Sequence, residues 1–413
     1  MPHFYRRLLG GFVAGLAAFA QSLPVANRPE EAGFSSQRLE ITRGAIRANV
    51  ESKRVPGAVL LLVRHGRIVT HDAIGLLDRA SGAPMKKDSI FRIMSMSKPI
   101  TTVAAMILAE ENKLDVGAPV ALYLPEFKDV KVGVDGVAPK RPMTVQDLMR
   151  HTSGLTYGLF GNSPVDRMYR QANIFGAASL TEMVKTIAGL PLLHQPGDAW
   201  EYSVSTDVLG RVVEVAGGKD LDVFVEERIT GPLKMNDTGF RVKPAAVGRL
   251  AKPDAETAPI DPTQRPAILS GGAGMLSTAG DYARFAQMLL NGGVLNGVRI
   301  LSPKTVALMT SDQLPATTER HTPVAMALGA PLGPLPEMGT SFGLGFAVRV
   351  DAGRSPLPGS VGDFSWSGIL GTFFWVDPKE KLVAVLMVQS PRNLNGVIWR
   401  QTRTMVYQAI IAQ

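Results

Sequence analysis

The chain has 413 residues, 45% of them hydrophobic and 19% charged, with 44 Lys and Arg against 36 Asp and Glu for a net charge of +8. That composition supports a sizeable packed core and excludes a disordered chain. The absence of cysteine excludes disulfides, thiol nucleophiles and thiolate metal sites, and the scattered basic residues, with no basic block among aromatics, exclude nucleic acid as an expected partner.

The chain opens with Arg6 and Arg7 ahead of an apolar stretch over 8–20 that closes on Ala18-Phe19-Ala20. This is the layout of a secretory signal, predicting cleavage after Ala20 and a periplasmic or secreted mature chain. The alternative is a frayed N-terminal helix of a cytoplasmic protein. The stretch is too short to cross a bilayer comfortably, and no later segment is long and apolar enough, so no membrane span is expected after cleavage.

Ser35 or Ser36 then caps a helix with Leu39, Ile46 and Val50 on one face, ending near Arg54 and Pro56. Residues 57–64 are almost wholly apolar, His65-Gly66-Arg67 turns, and 68–75 returns as the second strand of a hairpin.

Next comes Ser95-Met96-Ser97-Lys98, just ahead of Ile100, Val103, Ala104, Ile107 and Leu108 at helical spacing. A helix beginning near Ser95 puts Lys98 on the same side of its first turn, where the amine can meet the hydroxyl. A serine needs a base to become a good nucleophile. A lysine serves when burial and nearby positive charge disfavour its ammonium form. The helix N-terminus favours the negative charge of acyl transfer, and Pro99 is tolerated in a first turn. Alone, Ser-x-x-Lys is a weak signal, equally the start of an ordinary helix.

The middle of the chain reads as helical, cut by loops rich in Pro and Gly. Thr144-Val145-Gln146-Asp147 is a capping box opening a short helix that ends at Arg150. Further helices are expected over about 205–215, with Val208, Leu209, Val212 and Val213 apolar, and over 281–290 after Gly271-Gly272-Ala273-Gly274. Toward the C-terminus, 342–350 reads as a strand, 371–376 and 382–389 as a hairpin around Asp377-Pro378, and about 397–412 as a last helix. Strands at both ends with helices between predict one sheet domain, 21–100 with 300–413, interrupted by a helical domain over 101–299.

A Ser/Lys site needs a second proton-relay group and an oxyanion hole. Tyr202, just before the helix at Ser205, can share a proton with a nearby lysine. Trp366-Ser367-Gly368 precedes the strand at Gly371-Thr372-Phe373, and the small residues at 367 and 368 allow close approach to an edge strand, leaving the Ile369 N–H for an oxyanion. Each alone also fits a plainer role, as a packing tyrosine or a turn.

In order, Ser95-x-x-Lys98, His151-Thr152-Ser153-Gly154-Leu155, Tyr202-Ser203-Val204 and Trp366-Ser367-Gly368 resemble the serine β-lactamase-like superfamily. Within it the chain is most similar to class C β-lactamases and the family VIII carboxylesterases, over nearly all of the mature chain. The resemblance implies an α/β (α+β) fold, an antiparallel sheet flanked by helices with an inserted helical part. It also implies an acyl-enzyme on Ser95 with Lys98 and Tyr202 as general acid/base, an oxyanion hole from the Ser95 and Ile369 N–H groups, and His151 as a loop residue near the site.

Two departures choose the branch. Class C β-lactamases and penicillin-binding proteins usually carry Tyr-x-Asn, where this chain has Val204, and Lys-Thr-Gly, where it has Trp366-Ser367-Gly368. That lysine helps hold a substrate carboxylate, whereas a tryptophan supplies an apolar wall. Both changes favour an uncharged ester, a small-molecule partner, with at most weak cephalosporin turnover. Other acyl transfers on the same site, a penicillin-recognising protein acylated without turnover, and a non-catalytic scaffold are the alternatives.

Two further patterns lead elsewhere. Gly339-Thr340-Ser341-Phe342-Gly343 fits Gly-x-Ser-x-Gly, but an α/β-hydrolase needs a histidine after that serine, and the last histidine is His321. The six histidines include no His-x-His or His-Glu-x-x-His, so neither a catalytic metal nor another cofactor is expected.

Overall fold

The computed structural model describes residues 23–253, 261–390 and 395–411; the expected export signal over 1–20 lies outside them. Helix α1 (Ser36–Glu51) starts where Ser35 Oγ accepts the Arg38 N–H. The first hairpin forms as its pattern predicts, β1 (Gly57–Arg64) against β2 (Arg67–Asp78), with His65 and Gly66 at φ 50° and 73° in the turn. The short β3 (Ala83–Pro84) pairs with β2, and β4 (Phe91–Arg92) leads directly into the Ser95 segment.

Helix α2 (Ser97–Glu110) is buried from Ser97 to Leu108. The predicted apolar stripe is therefore only part of its covered surface, as expected for a helix enclosed on all sides. The helix also starts two residues later than its pattern suggests, because 94–96 form a 3-10 turn. The helices α3 (Val145–Met149), α4 (Pro164–Gln171), α5 (Leu180–Ala188), α6 (Ser205–Gly217) and α7 (Leu221–Val225) follow. Of these, α6 and α7 lie against α2. The capping box of α3 is present in both directions, Thr144 Oγ1 accepting the Asp147 N–H and Asp147 accepting the Thr144 N–H.

Strand β5 (Leu276–Ser277) pairs with β4 and opens into α8 (Ala279–Leu290). A small hairpin, β6 (Val294–Leu295) and β7 (Val298–Arg299), precedes α9 (Pro303–Met309) and α10 (Pro323–Leu328).

The predicted strand over 342–350 is instead two, β8 (Thr340–Phe342) and β9 (Ala347–Arg349), paired antiparallel. The reason is local: Gly343 N–H donates to Phe346 O at 2.8 Å, and Gly345 takes φ 87° where a Cβ would stand 2.7 Å from Thr102 Oγ1 of α2. The glycines thus turn the chain and seat it on the buried helix. The sheet continues through β10 (Phe364–Ser367), β11 (Phe373–Asp377) and β12 (Leu382–Val388), and the chain closes with α11 (Asn395–Tyr407).

The resulting eight-stranded sheet runs β3-β2-β1-β12-β11-β10-β9-β8, with neighbouring strands antiparallel. The two chain ends meet at its centre, where β1 pairs with β12 from Ala58↔Val388 to Arg64↔Leu382. Helices cover both faces. Adjacent residues of a strand point oppositely; Phe373 stacks on Trp399 of α11 at 5.6 Å, while Phe374 meets Tyr282 of α8 at 4.9 Å. Coverage on both sides explains why β1 and β12 are buried at every position and read as unbroken apolar runs. The fold is thus the mixed α/β architecture expected, an antiparallel sheet flanked by helices.

Candidate active site

The Ser95 segment is held from several sides. Tyr282 Oη donates to Met96 O at 2.9 Å, Ser97 Oγ accepts the Met275 N–H at 3.0 Å, and Thr101 Oγ1 donates to Gly271 O at 2.8 Å. Met94, immediately before the serine, sits at φ 48°, an uncommon conformation for a bulky residue. Such strain costs on the order of 1–3 kcal/mol and persists only where surrounding contacts impose it.

Ser95 is half-buried at the surface of this turn. Lys98, one helical turn on and 1% exposed, donates from Nζ to Ser95 Oγ at 3.3 Å. The same amine donates to Gly272 O at 2.8 Å and to Tyr157 Oη at 3.0 Å, so its three donors are all used. Tyr202 stands differently: its ring lies under the amine at 4.6 Å, and its hydroxyl has no hydrogen-bond partner among the described residues. The structure therefore brings Ser95, Lys98 and Tyr202 together, but the hydroxyl bonded to the lysine belongs to Tyr157.

Sequence reasoning missed Tyr157. It follows His151-Thr152-Ser153-Gly154-Leu155 in a loop with no periodicity, and nothing in its neighbours marks it. Burial pushes its hydroxyl well above the usual tyrosine range, aided by the neighbouring Tyr202 and Asp207. It stays protonated.

Tyr202 is the centre of an aromatic cluster. His151 packs on it at 4.8 Å, Trp366 at 5.3 Å, Tyr157 at 5.5 Å and Trp200 at 6.2 Å. Trp366 is 1% exposed, its ring covered by Tyr202 and by Phe342 at 5.2 Å. Its bulk thus lies behind Tyr202. Val204 is buried at the N-cap of α6. Beneath them Ser153 Oγ and Ser203 Oγ each meet Ser205 Oγ at 2.7 Å, a hydroxyl chain that ties the His151 loop to the residue after Tyr202. His151, at φ 60° and buried, is driven well below the usual histidine range by burial and then by the Lys98 charge. It is a neutral ring and no proton carrier at ordinary pH.

The turn after β10 docks onto the nucleophile segment. Gly368 N–H donates to Thr372 O at 2.8 Å, and Thr372 Oγ1 donates to Ile93 O at 3.1 Å. A Cβ at Gly368 would stand 2.3 Å from Ile93 O. Only glycine allows this turn, with Ser367 before it and Ile369 after it, to lie against the chain that carries Ser95.

Ser341 of the Gly-x-Ser-x-Gly pattern is buried on β8, donating to Asp312 and accepting from Arg320 Nη1 at 3.3 Å. It is a structural serine. Among the described residues no cluster of His, Cys, Asp or Glu is arranged to hold a metal ion, and no helix is long and apolar enough to cross a membrane.

Comparison with known proteins identifies the family. Residues 42–402 match the Beta-lactamase family model. Protein Rv1367c of Mycobacterium tuberculosis is 36% identical over 379 residues, covering 86% of this chain and 91% of its own. Esterase EstB of Burkholderia gladioli is 32% identical over 389 residues, covering 87% and 92%. Among solved structures, EstCE1, a hydrolase with promiscuous acyltransferase activity, superposes with a TM-score of 0.75 at 29% identity, covering 90% of this chain and 98% of its own. The chain belongs to the beta-lactamase family, as a serine hydrolase with esterases among its relatives.

Proposed function

We propose that the protein is a serine carboxylesterase hydrolysing short- to medium-chain carboxylic esters through an acyl-enzyme on Ser95. The observation that carries this reading is the 3.3 Å contact between Lys98 Nζ and Ser95 Oγ on a turn fixed from several sides. A neutral amine has two N–H groups and one lone pair. In the neutral base the bonds to Gly272 O and Tyr157 Oη use both N–H groups, and the lone pair takes the place of the ammonium's third donor at Ser95. Lys98 takes the Ser95 proton as Oγ attacks the ester carbonyl, and the Ser95 and Ile369 N–H groups receive the oxyanion. The tetrahedral adduct expels the alkoxide, which takes a proton from Tyr202, whose hydroxyl has no hydrogen bond to break among the described residues. The Tyr202 phenolate then takes a proton from water as the water oxygen attacks the acyl carbonyl; the acyl–Oγ bond breaks, the carboxylic acid leaves, and Lys98 returns its proton to Ser95 Oγ.

The ester preference is supported by Trp366, which stands where the family's lysine helps hold a substrate carboxylate, by Val204 in place of the family's Asn, and by the similarity to EstB and EstCE1. The segment 1–20 is proposed as an export signal. The test is turnover of short- and long-chain p-nitrophenyl esters beside nitrocefin and a D-Ala-D-Ala peptide, with Ser95→Ala as control. Fast ester hydrolysis lost in the control supports the reading; faster nitrocefin or peptide turnover returns the protein to the penicillin-recognising branch.

A further inference from the structure

Asp207, in the first turn of α6, is 1% exposed and takes no part in the steps above. An aspartate there ordinarily complements the helix dipole from the surface. Here it is removed from water, and burial pushes its carboxyl up against the pull of the Lys98 charge, the Ser270 hydroxyl and the Gly272 N–H. Its Oδ1 accepts from Ser270 Oγ at 2.5 Å and from Gly272 N at 3.1 Å. Its Oδ2 has no hydrogen-bond partner among the described residues.

Gly272 is also the residue whose carbonyl receives the Lys98 amine at 2.8 Å. One residue, Gly272, therefore stands between the buried carboxylate and the base, its N–H bound to the one and its carbonyl to the other. A Cβ at Gly272 would lie 2.6 Å from Asp207 Oδ2, and one at Gly271 would lie 2.7 Å from Thr206 O, so the two glycines are what let the loop approach the helix this closely. An asparagine could accept both bonds to Oδ1 without the cost of burying a charge. The carboxylate's distinct contribution is its sign.

We propose that Asp207 is the positioning and charge-balancing residue for Lys98: it fixes the Gly272 carbonyl that aims the amine at Ser95, and it offsets the ammonium formed when Lys98 takes the Ser95 proton. The inference rests on Lys98 acting as the base in ester hydrolysis. Electrostatic support of this kind acts as the charge develops. Among the described residues, the other titratable groups facing the pair are Tyr157, Tyr202 and the neutral His151. Helix α2 brings no further charge to it and the loop over 270–275 brings none, while Arg211 and Glu214, a turn along α6, pair with each other at 2.9 Å.

The experiment is the pH profile of kcat and kcat/KM on a short p-nitrophenyl ester for wild type, Asp207→Asn and Ser270→Ala, with circular dichroism to confirm folding. Asp207→Asn keeps the Oδ1 acceptor and removes the charge. It is expected to lose about tenfold to a hundredfold in kcat with KM little changed. The acid limb of kcat/KM moves to lower pH, since an amine without its countercharge is free to act as base in more acidic solution. Ser270→Ala leaves the carboxylate one donor short and moves both quantities the same way by less. Wild-type kcat with an unmoved acid limb, in whichever of the two variants folds, overturns the proposal and leaves Asp207 a scaffold residue. A wild-type enzyme that turns over no ester is a different result, the failure of the esterase reading itself.

Discussion

Two tyrosines touch Lys98, and their environments assign them different work. Tyr157 Oη is bonded to the amine, and burial keeps it protonated. Tyr157→Phe therefore removes an anchor of the base and is expected to cost about tenfold in kcat/KM. Tyr202 Oη has no hydrogen-bond partner among the described residues, so Tyr202→Phe removes no hydrogen bond to them. Its expected signature is about a hundredfold loss of kcat/KM or more with an unchanged unfolding midpoint. Steady-state assays beside thermal melts on both variants check this; a loss under tenfold for Tyr202→Phe removes it from acid/base work. At this scale the gathering of Ser95, Lys98 and Tyr202 was legible because each lies at or just before a helix start and because the order of the motifs resembles a known family. Tyr157 and Asp207 were not. Their importance lies in contacts with Lys98 and Gly272, 59 and 65 residues away respectively, which no local pattern records.

The helix starts are the elements that the sequence specifies most directly, and α3 shows why they hold. Asp147 is 0% exposed, closes the capping box with Thr144, and pairs with Arg141 at 2.6 Å and Arg150 at 3.0 Å. Burial raises its carboxyl, but the Arg141 guanidinium, the Thr144 N–H and the Thr152 hydroxyl outweigh that and hold it at about 2. A carboxyl depressed in the folded state contributes stability that is fully present above its unfolded value near 4 and is lost as pH falls toward 2. Asp147→Asn is expected to destabilise by about 2 kcal/mol at pH 7 and to flatten this acid-limb loss. Urea unfolding at pH 7 and pH 3 measures both, and an equal gap between variant and wild type at the two values contradicts the linkage. The break between β8 and β9 shows the opposite: Gly343 and Gly345 stand in the sequence, but the turn they make is set by contact with α2 at Thr102, which no local pattern records.

At the scale of the whole molecule, the site depends on a sheet that neither chain end can complete alone. Strands β1–β3 and β8–β12 join only through β1 and β12, and the Gly368 turn that docks on the Ser95 segment hangs from β10, two strands away. Apolar runs at both termini made this closure legible, since strands covered on both faces need not alternate. The consequence is that damage at the seam is felt at the nucleophile only through folding. Leu386, 0% exposed, pairs with Leu60 on one side and Phe373 on the other. Leu386→Ala leaves a cavity between the two ends and is expected to cost about 2–5 kcal/mol. Because Leu386 lies on the side of the sheet that faces α1 and α11, with Ile46 and Ile398, the folded fraction should keep its kcat while the unfolding midpoint falls. Active-site titration with a fluorophosphonate separates the two: turnover per titrated serine near the wild-type value fits the seam, whereas a large fall in that ratio would mean that strain at β12 reaches Ser95 directly.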